Sequence, residues 1–484
     1  MNYNQNKISL TSNKVYLALL VLFTSLIYIL LKKVEHEDVY ETLYFSKEFT
    51  LNYLKHPPVT FWITHLIVDN IPSAYFVLTT YIFVVVIKLI VVFLSWQLSK
   101  EILANQNLQN LVAISMTIAL FSRFDIKFTP DIFQLLFGAL FISASYYVLK
   151  YGHWQYWCLL TLFALLAVLT KYHMAIMILA SGIPFIATSQ GRQRIFSKNF
   201  VLSALAFITI ASFYIYNANN AGTSTSWHPV SDKSLQSPKA FFGAIFFGGL
   251  FPIGLIILYF QKDLLKKSLS YFNQDKLNTY FLLSNSLGFL ILFLTFRIIT
   301  QYNISQRYTL SNIVITALTI IYIFQHFFAK IDFSAHKFKR IVQIFCAVVL
   351  LVFGLRIYFS DYPGEYKIYN LAASQIQQAT NVRIDFLIQS NRSFDKVYAS
   401  FQDKPYVIGY ENIKEEDLIA KIKNHNFVLL WAPSEQLPQW VVDLQKQFPD
   451  LQISQPIILA SEPKTYIGKL FKKHQLAIQY AYLK

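Results

Sequence analysis

The sequence has few charged residues for its length. Of its 484 residues, 14 % are charged and 55 % are hydrophobic, and the mean hydropathy is +0.41. In a soluble chain roughly a quarter of the residues are charged. Such a chain also has no use for repeated apolar runs long enough to cross a bilayer. The 44 Phe and 31 Tyr suit lipid-facing helices with aromatic belts at their ends. The composition therefore predicts an α-helical polytopic membrane protein.

The sequence also lacks the motifs of several common sites. Its two cysteines, Cys158 and Cys346, lie in separate apolar runs without a paired spacing. Neither a disulfide framework nor a zinc site is therefore indicated, and we expect both cysteines to be small buried hydrophobic residues. The sequence contains neither GxxxxGK[ST] nor GxGxxG, so a binding site for ATP or a nucleotide sugar is unsupported.

The net charge of +16 is concentrated in short loops between apolar runs. Lys and Arg cluster in GRQRIFSKN (191–199), QKDLLKKS (261–268) and KIDFSAHKFKR (330–340). This is the positive-inside pattern, which sets the orientation of a chain in the membrane. No basic stripe alternates with exposed aromatics as single-strand binding requires. The charge therefore does not indicate a nucleic-acid-binding protein.

Apolar runs predict about eleven transmembrane helices. The first run lacks a small-residue cleavage site after it, so we predict an uncleaved first helix. The predicted spans cover 15–31, 73–97, 107–121, 131–149, 155–170, 173–189, 199–216, 239–260, 278–296, 308–328 and 341–358.

Loop charge predicts the orientation of these spans. With Lys7 and Lys14 on the cytoplasmic side, every basic loop is also cytoplasmic. The loops then expected outside are 33–72, 122–130, 217–238 and 297–307. The prediction is a multi-pass protein of the bacterial inner membrane with a cytoplasmic N-terminus and an external C-terminus.

The composition changes after about residue 360. We predict a transmembrane core over residues 1–360 and a small extracytoplasmic, periplasmic α/β domain over 361–484. Its predicted strands are 396–401, 427–432 and 456–461, and its predicted helices are 414–425 and 439–448.

The loop at 33–72 is the most informative segment. It is acidic, and Glu37 and Asp38 stand next to each other soon after the first span. In a helix these side chains would point about 100° apart, so we expect them in a turn, with one carboxylate acting and the other orienting a partner. A carboxylate here could deprotonate an acceptor hydroxyl or stabilise charge on a sugar ring. The alternative is a solvated acidic loop that only helps to set topology.

The residues that follow resemble a known family. Glu37-Asp38, Tyr40, Tyr53, His56-Pro57-Pro58 and Trp62 are similar to the first-loop signature of C-type glycosyltransferases related to the protein O-mannosyltransferases and the bacterial lipid A aminoarabinose transferases. The family's acidic pair is commonly Asp-Glu and here is Glu-Asp, so both remain candidates for the base, and we favour Asp38. Trp62 begins a stretch expected to lie along the interface.

Two further segments resemble family motifs in the expected order. Thr129-Pro130-Asp131 is similar to the second external acidic motif, and Thr170-Lys171-Tyr172 is similar to the Ser-Lys-Tyr or Thr-Lys-Tyr motif. The predicted eleven-span core with an external C-terminal domain is also similar to the family. A site on the outer face has no access to cytoplasmic nucleotide sugars, so the lack of nucleotide-binding motifs favours a lipid-linked sugar donor. The resemblance implies substrate-binding roles for His56, Tyr40, Tyr53, Trp62, Asp131 and Tyr172.

Cations on the predicted outer side depart from the positive-inside rule. Lys171, Arg297, Arg307 and Lys55 are therefore candidates for binding the donor phosphate, since guanidinium groups match phosphate oxygens. Each of the first three has a simpler alternative: Lys171 could snorkel, and the two arginines could anchor at the interface. Asp131 could be a helix cap, and His228, a candidate on the acceptor side, could be a surface residue.

We predict an inverting glycosyltransferase that moves a sugar from a polyprenyl phosphate to a lipid or protein acceptor at the outer face. His56 and His65 do not have a ligand spacing known for one element, so no metal is assigned. A divalent cation between donor phosphate and carboxylate is compatible with the sequence. The alternatives are a transporter or flippase for an amphiphilic glycolipid and a non-catalytic envelope assembly protein.

Overall fold

The structure, a computed structural model, describes a defined set of residues. These are 11–31, 37–46, 49–51, 53, 57–68, 70–71, 75–123, 127–220, 239–260, 275–300, 306–333, 335–359, 362–389, 397, 400–401, 405–409, 415–434, 436–460 and 475–483. The chain divides into two compact units. Unit 1 is Met1–Ser25, Phe49–Ile63 and Thr79–Leu351, and unit 2 is Leu26–Glu48, Thr64–Leu78 and Val352–Lys484. The domain boundary at residue 360 stays a prediction.

Helices dominate the described chain as far as Thr380. They are α1 (Thr11–Leu31), α2 (Glu37–Ser46), α3 (Val59–Val68), α4 (Phe76–Ile102), α5 (Gln106–Phe121), α6 (Pro130–Tyr151), α7 (Trp154–Val168), α8 (Met174–Ala187), α9 (Ser189–Ile195), α10 (Lys198–Asn220), α11 (Lys239–Leu258), α12 (Lys276–Leu283), α13 (Phe289–Thr300), α14 (Ile313–Ile323), α15 (Gln325–Phe328), α16 (His336–Phe359) and α17 (Tyr362–Thr380). A π-turn, Ser284–Gly288, joins α12 to α13, and a 3₁₀ segment, Gln306–Asn312, precedes α14. Every predicted span coincides with a helical segment.

Several of these helices have the length and composition of membrane spans. Among the described residues, Leu78–Ile102, Pro130–Tyr151, Lys198–Asn217 and Lys276–Thr300 are each long and apolar enough to cross a membrane. The pair α8 and α9, bent by 111°, adds a fifth if it is one span. Shorter apolar helices account for further runs, including Trp154–Val168 and Gly249–Leu258. The architecture is thus that of an α-helical polytopic membrane protein.

Helix α6 is the central helix of unit 1. The Thr129 side chain accepts a hydrogen bond from the backbone N–H of Asp131, and Pro130 occupies the first turn, as is favoured at helix starts. Gly152 ends the helix at φ 72°, a left-handed conformation that favours glycine. Since 83 % of its membrane-length stretch is buried, against 6 % for α10, α6 is a core helix and α10 a peripheral one.

Unit 2 contains a six-stranded sheet. Its strands are β1 (Phe386–Gln389), β2 (Tyr406–Gly409), β3 (Phe427–Trp431), β4 (Leu451–Ile453), β5 (Ile457–Ala460) and β6 (Gln475–Leu483). The order is β2-β1-β3-β6-β4, and β5 also pairs with β6. β1 is parallel to β2 and β3, whereas β6 is antiparallel to β3, β4 and β5.

Helix α17 covers one face of this sheet. Its Ala372 and Ile376 are buried in one apolar cluster with Leu387 of β1 and Val428 of β3. Successive strand residues point to opposite faces, so Leu387 and Val428 mark the face that α17 occupies.

Two shorter helices cover the other face. They are α18 (Glu415–Ile422) and α19 (Gln439–Gln447), whose Leu418 and Leu444 share a second apolar cluster with Leu429 of β3. Because both faces are covered, β3 is buried at every position, as expected for a central strand.

Two sequence predictions about these elements are wrong. The strand predicted over 396–401 is absent at its described residues, where Val397 is helical and Phe401 is irregular. These two buried residues are four positions apart, which places them on one face of a helix or of a strand, so the apolar pattern alone does not distinguish the two. Cys158, predicted to be buried, is exposed on α7 beside the exposed Leu159 and Leu162, so its apolar surroundings are not the protein core. Cys346 is buried as predicted.

Candidate active site

Asp131 is a buried carboxylate at the start of α6. Its side chain is 5 % exposed, and its backbone N–H is the group that Thr129 caps. Thr129, and not Asp131, therefore supplies the side-chain cap, which leaves both carboxylate oxygens of Asp131 for other partners. The alternative role of Asp131 as the capping residue is wrong.

Two cations from distant segments face this carboxylate. Lys171, in the loop between α7 and α8, donates from Nζ to Oδ1 of Asp131. Arg307, at the start of the 3₁₀ segment, places Nε 3.8 Å from Oδ2. The Lys171 side chain is 9 % exposed and that of Arg307 is 39 % exposed. We call these three residues the Asp131 cluster, and Arg307 is its accessible member.

The Lys171 ammonium group lies near the ring of Tyr308, which belongs to a small aromatic cluster. Nζ lies 5.2 Å from the ring centroid of Tyr308, within the range of a cation–π contact. The ring of His173 lies 4.6 Å from that of Tyr308, and Phe293 lies 5.9 Å from His173. Sequence reasoning did not select Tyr308 or His173, although each lies within two residues of a predicted site residue.

Tyr172 contacts a different helix from its neighbour Lys171. Its hydroxyl lies 2.9 Å from the hydroxyl of Tyr214 on α10. Burial raises the pKa of Tyr172, and the hydrogen bond with Tyr214 opposes that shift. The pair ties the loop of the Thr-Lys-Tyr motif to α10.

The end of the loop predicted over 33–72 packs beside the Lys171 loop. The backbone N–H of Val59 donates to the carbonyl oxygen of Leu169 over 3.1 Å. Pro57 and Pro58, directly before it, are buried. Lys55 and His56 lie outside the described residues. The structure thus brings the Pro-Pro motif and the Thr-Lys-Tyr motif together.

Tyr53 and Trp62 make contacts within the same loop. The Tyr53 hydroxyl accepts a hydrogen bond from the Thr50 N–H over 3.3 Å. Trp62 donates from Nε1 to the Thr50 carbonyl over 2.8 Å and stacks on Phe49. These contacts shape the loop, and a substrate-binding role for either ring stays a proposal.

The acidic pair begins a helix and does not lie in a turn. Glu37 and Asp38 are the first two residues of α2, which also contains Tyr40. The expectation of a turn is therefore wrong, and the first helical turn is a position that stabilises carboxylates through free amide groups and the helix dipole. The side chains of these three residues lie outside the described set.

The remaining predicted residues are not part of the Asp131 cluster or lie outside the described set. Arg297 is in the last turn of α13, and His228 lies outside the described residues. His65 contacts the Ser46 carbonyl through Nδ1 at 2.7 Å. Within the described ranges, no group of three or more His, Cys, Asp or Glu side chains could hold a metal ion.

Comparisons with known proteins agree with the family resemblance that the sequence motifs indicate. Residues 55–216 match the family model described as dolichyl-phosphate-mannose-protein mannosyltransferase. The fold is similar to that of ArnT from Cupriavidus metallidurans in the apo state, with a TM-score of 0.59 and 12 % sequence identity over 97 % of this chain and 96 % of that chain. No curated protein matches the chain by sequence.

These findings confirm the predicted resemblance. The fold is that of a C-type glycosyltransferase, with a helical membrane core and a small sheet-containing C-terminal part. Residues 55–216 thus match a mannosyltransferase family model, and the chain shares its fold with ArnT.

Proposed function

We propose that the chain transfers a sugar from a polyprenyl phosphate to a lipid or protein acceptor at the outer face of a bacterial inner membrane. The observation that carries this proposal is the Asp131 cluster. Two cations from separate segments converge on one buried carboxylate, and the more exposed cation is an arginine. A guanidinium group matches a phosphate in a bidentate manner.

Asp131 organises the cations and does not itself bind the phosphate. Two anions repel each other, whereas a carboxylate shared by Lys171 and Arg307 holds both cations in place before a donor arrives. Preorganised charges of this kind stabilise a developing anion without reorganisation during the reaction. The leaving phosphate gains negative charge as the bond between the sugar C1 and the phosphate oxygen breaks, so this is where the cluster contributes.

The proposed base is Asp38, with Glu37 as the alternative. It accepts the proton of an acceptor hydroxyl as that oxygen forms a bond to the sugar C1 and polyprenyl phosphate departs. A single displacement inverts the configuration at C1. Lys55 joins the phosphate-binding residues in this proposal, as does Arg297. His56, Tyr40, Tyr53, Trp62 and Tyr172 bind the sugar or the acceptor.

A complementation assay tests the proposed function. Lipid A, other glycolipids and envelope proteins from a deletion strain are compared with the parent by mass spectrometry, and we expect one of them to lose a sugar. Wild-type protein restores that sugar. We expect Asp38→Ala to fail, whereas Asp450→Asn, at an exposed position in the C-terminal part, serves as the control and restores it.

The same assay distinguishes the two carboxylates. If Glu37→Ala fails and Asp38→Ala restores the sugar, Glu37 is the base. If both variants restore it fully, neither residue is the base and the catalytic assignment is wrong. A deletion strain with an unchanged sugar content in all three fractions contradicts the proposed transfer reaction itself.

A further inference from the structure

The 3₁₀ segment Gln306–Asn312 holds Arg307 and Tyr308 against Asp131 and Lys171. Runs of 3₁₀ helix longer than about four residues are uncommon, because their hydrogen bonds have poor geometry. This one has 7 residues, so contacts from outside must help to hold it. Its position decides where the Arg307 guanidinium group lies.

Gln134 provides the first of these contacts. It follows Asp131 by three residues on α6, and its Nε2 donates to the carbonyl oxygen of Tyr308 over 3.0 Å. The side chain is fully buried. The same stretch of α6 therefore carries both the carboxylate that faces Arg307 and the amide that holds the neighbouring backbone.

Gly138, one turn further along α6, allows the segment to approach closely. A Cβ atom at Gly138 would lie 2.8 Å from Cβ of Ser311 and 3.2 Å from Cε of Met174. The methionine end can move, but Cβ of Ser311 moves only with its backbone. A side chain at position 138 would therefore displace the 3₁₀ segment from α6.

Asn312 fastens the other end of the segment. Its Nδ2 donates to the carbonyl oxygens of Asn285 and Ser286, each over 2.9 Å. Both carbonyls belong to the π-turn, and Thr316 Oγ1 lies 2.8 Å from Oδ1 of Asn312. Reversing the amide would set Oδ1 against two carbonyl oxygens, so the network determines its orientation.

We propose that Gln134, Gly138 and Asn312 are positioning residues for the donor phosphate site. They act by holding the 3₁₀ segment that carries Arg307 and Tyr308. They thereby set the distance between the Arg307 guanidinium group and the Asp131 carboxylate. This proposal rests on the proposed function, in which Arg307 binds the phosphate. It extends the site to the opposite end of the 3₁₀ segment and to the π-turn.

A swap of side-chain size tests the role of Gly138. The probe is undecaprenyl phosphate, and its affinity for detergent-purified full-length protein is measured by native mass spectrometry. We expect Gly138→Ala to weaken binding by about tenfold, since small displacements at a site cost large factors. Adding Ser311→Gly should restore the affinity, because it removes the Cβ atom that the new side chain meets.

Control variants distinguish a displaced 3₁₀ segment from a general folding defect caused by replacing a glycine. Gly182→Ala is the matched glycine variant, since a Cβ there meets nothing within 4 Å, and it should bind as wild type does. Ser311→Gly alone should change affinity little. If Gly138→Ala binds as wild type does, or if the double variant stays as weak as Gly138→Ala, then Gly138 is not a positioning residue.

The two amides are tested in the same assay. Gln134→Met and Asn312→Leu keep the approximate side-chain size and remove the donors, and each should weaken binding severalfold while the protein stays monodisperse. Unchanged affinity in both contradicts their role.

Lys171→Met and Arg307→Met, which remove the cations of the proposed phosphate site, are measured in the same assay. If these two bind as wild type does, the proposed phosphate site and its positioning residues are both wrong; if only these two lose affinity, the positioning roles alone are wrong.

Discussion

The backbone N–H of Val59 donates a hydrogen bond to the carbonyl oxygen of Leu169, with N and O 3.1 Å apart. This bond joins the first residue of α3 to the loop that carries Lys171. The Pro-Pro motif and the Thr-Lys-Tyr motif are distant in sequence, and here the residues directly next to them share a backbone hydrogen bond. The arrangement of the Lys171 loop therefore depends on the segment that contains the Pro-Pro motif.

Proline at position 59 tests this dependence. Proline is favoured at the first position of a helix, so Val59→Pro removes the N–H while α3 can still begin. We expect a loss of about 1 kcal/mol in stability, as for a typical hydrogen bond, and reduced sugar content in the complementation assay. Val59→Ala keeps the N–H and is the control. Equal defects in both variants would show that the hydrogen bond is not the cause.

The helical part of the fold was predictable because a bilayer imposes long apolar runs. All eleven predicted spans are helical, and Thr129-Pro130 begins α6 as helix-start preferences indicate. The sheet was less predictable. β3 and β5 lie in continuous apolar runs and were found. The strands β1, β2 and β4, of 4, 4 and 3 residues, were not found because runs this short carry a weak signal, and β6 was not found because Gln475 and Gln479 interrupt its apolar residues.

The candidate site was predictable as separate residues but not as an arrangement. Asp131, Lys171 and Arg307 were each selected, yet no local pattern indicates that they meet, because their contacts depend on how α6, the Lys171 loop and the 3₁₀ segment pack. For the same reason sequence reasoning missed Gln134 and Tyr308. The helical start at Glu37 was also missed, since an acidic pair fits a turn as well as a first helical turn.

Arg307 should matter for binding more than for folding. Its side chain is 39 % exposed, so Arg307→Met should leave the melting temperature nearly unchanged while weakening undecaprenyl phosphate binding by about tenfold. Arg307→Lys keeps the charge but loses the planar fork, and we expect an intermediate affinity. A lysine variant as weak as the methionine variant would mean that charge at this position does not support binding.

Tyr172 and Tyr214 offer a matched pair of hydroxyl deletions. Tyr172→Phe and Tyr214→Phe each break the same 2.9 Å contact, so a purely structural contact predicts equal effects. Because we assign Tyr172 to substrate binding, we expect Tyr172→Phe to reduce sugar content further in the complementation assay. Equal defects, or a larger defect in Tyr214→Phe, would contradict that assignment.

Single and double substitutions in the buried pair of Asp131 and Lys171 can distinguish its contribution to stability from its contribution to function. Lys171→Met leaves the buried Asp131 carboxylate with the more exposed and more distant Arg307 as its cation in the cluster. Loss of one partner of a buried ion pair costs up to about 3–5 kcal/mol, whereas replacing both partners by apolar residues is often neutral. Lys171→Met should therefore lower the melting temperature, and Asp131→Leu/Lys171→Met should recover most of it. We expect the double variant to remain inactive in the complementation assay, because the cation that meets the leaving phosphate is missing. A stable double variant that restores the sugar would show that the pair serves folding alone.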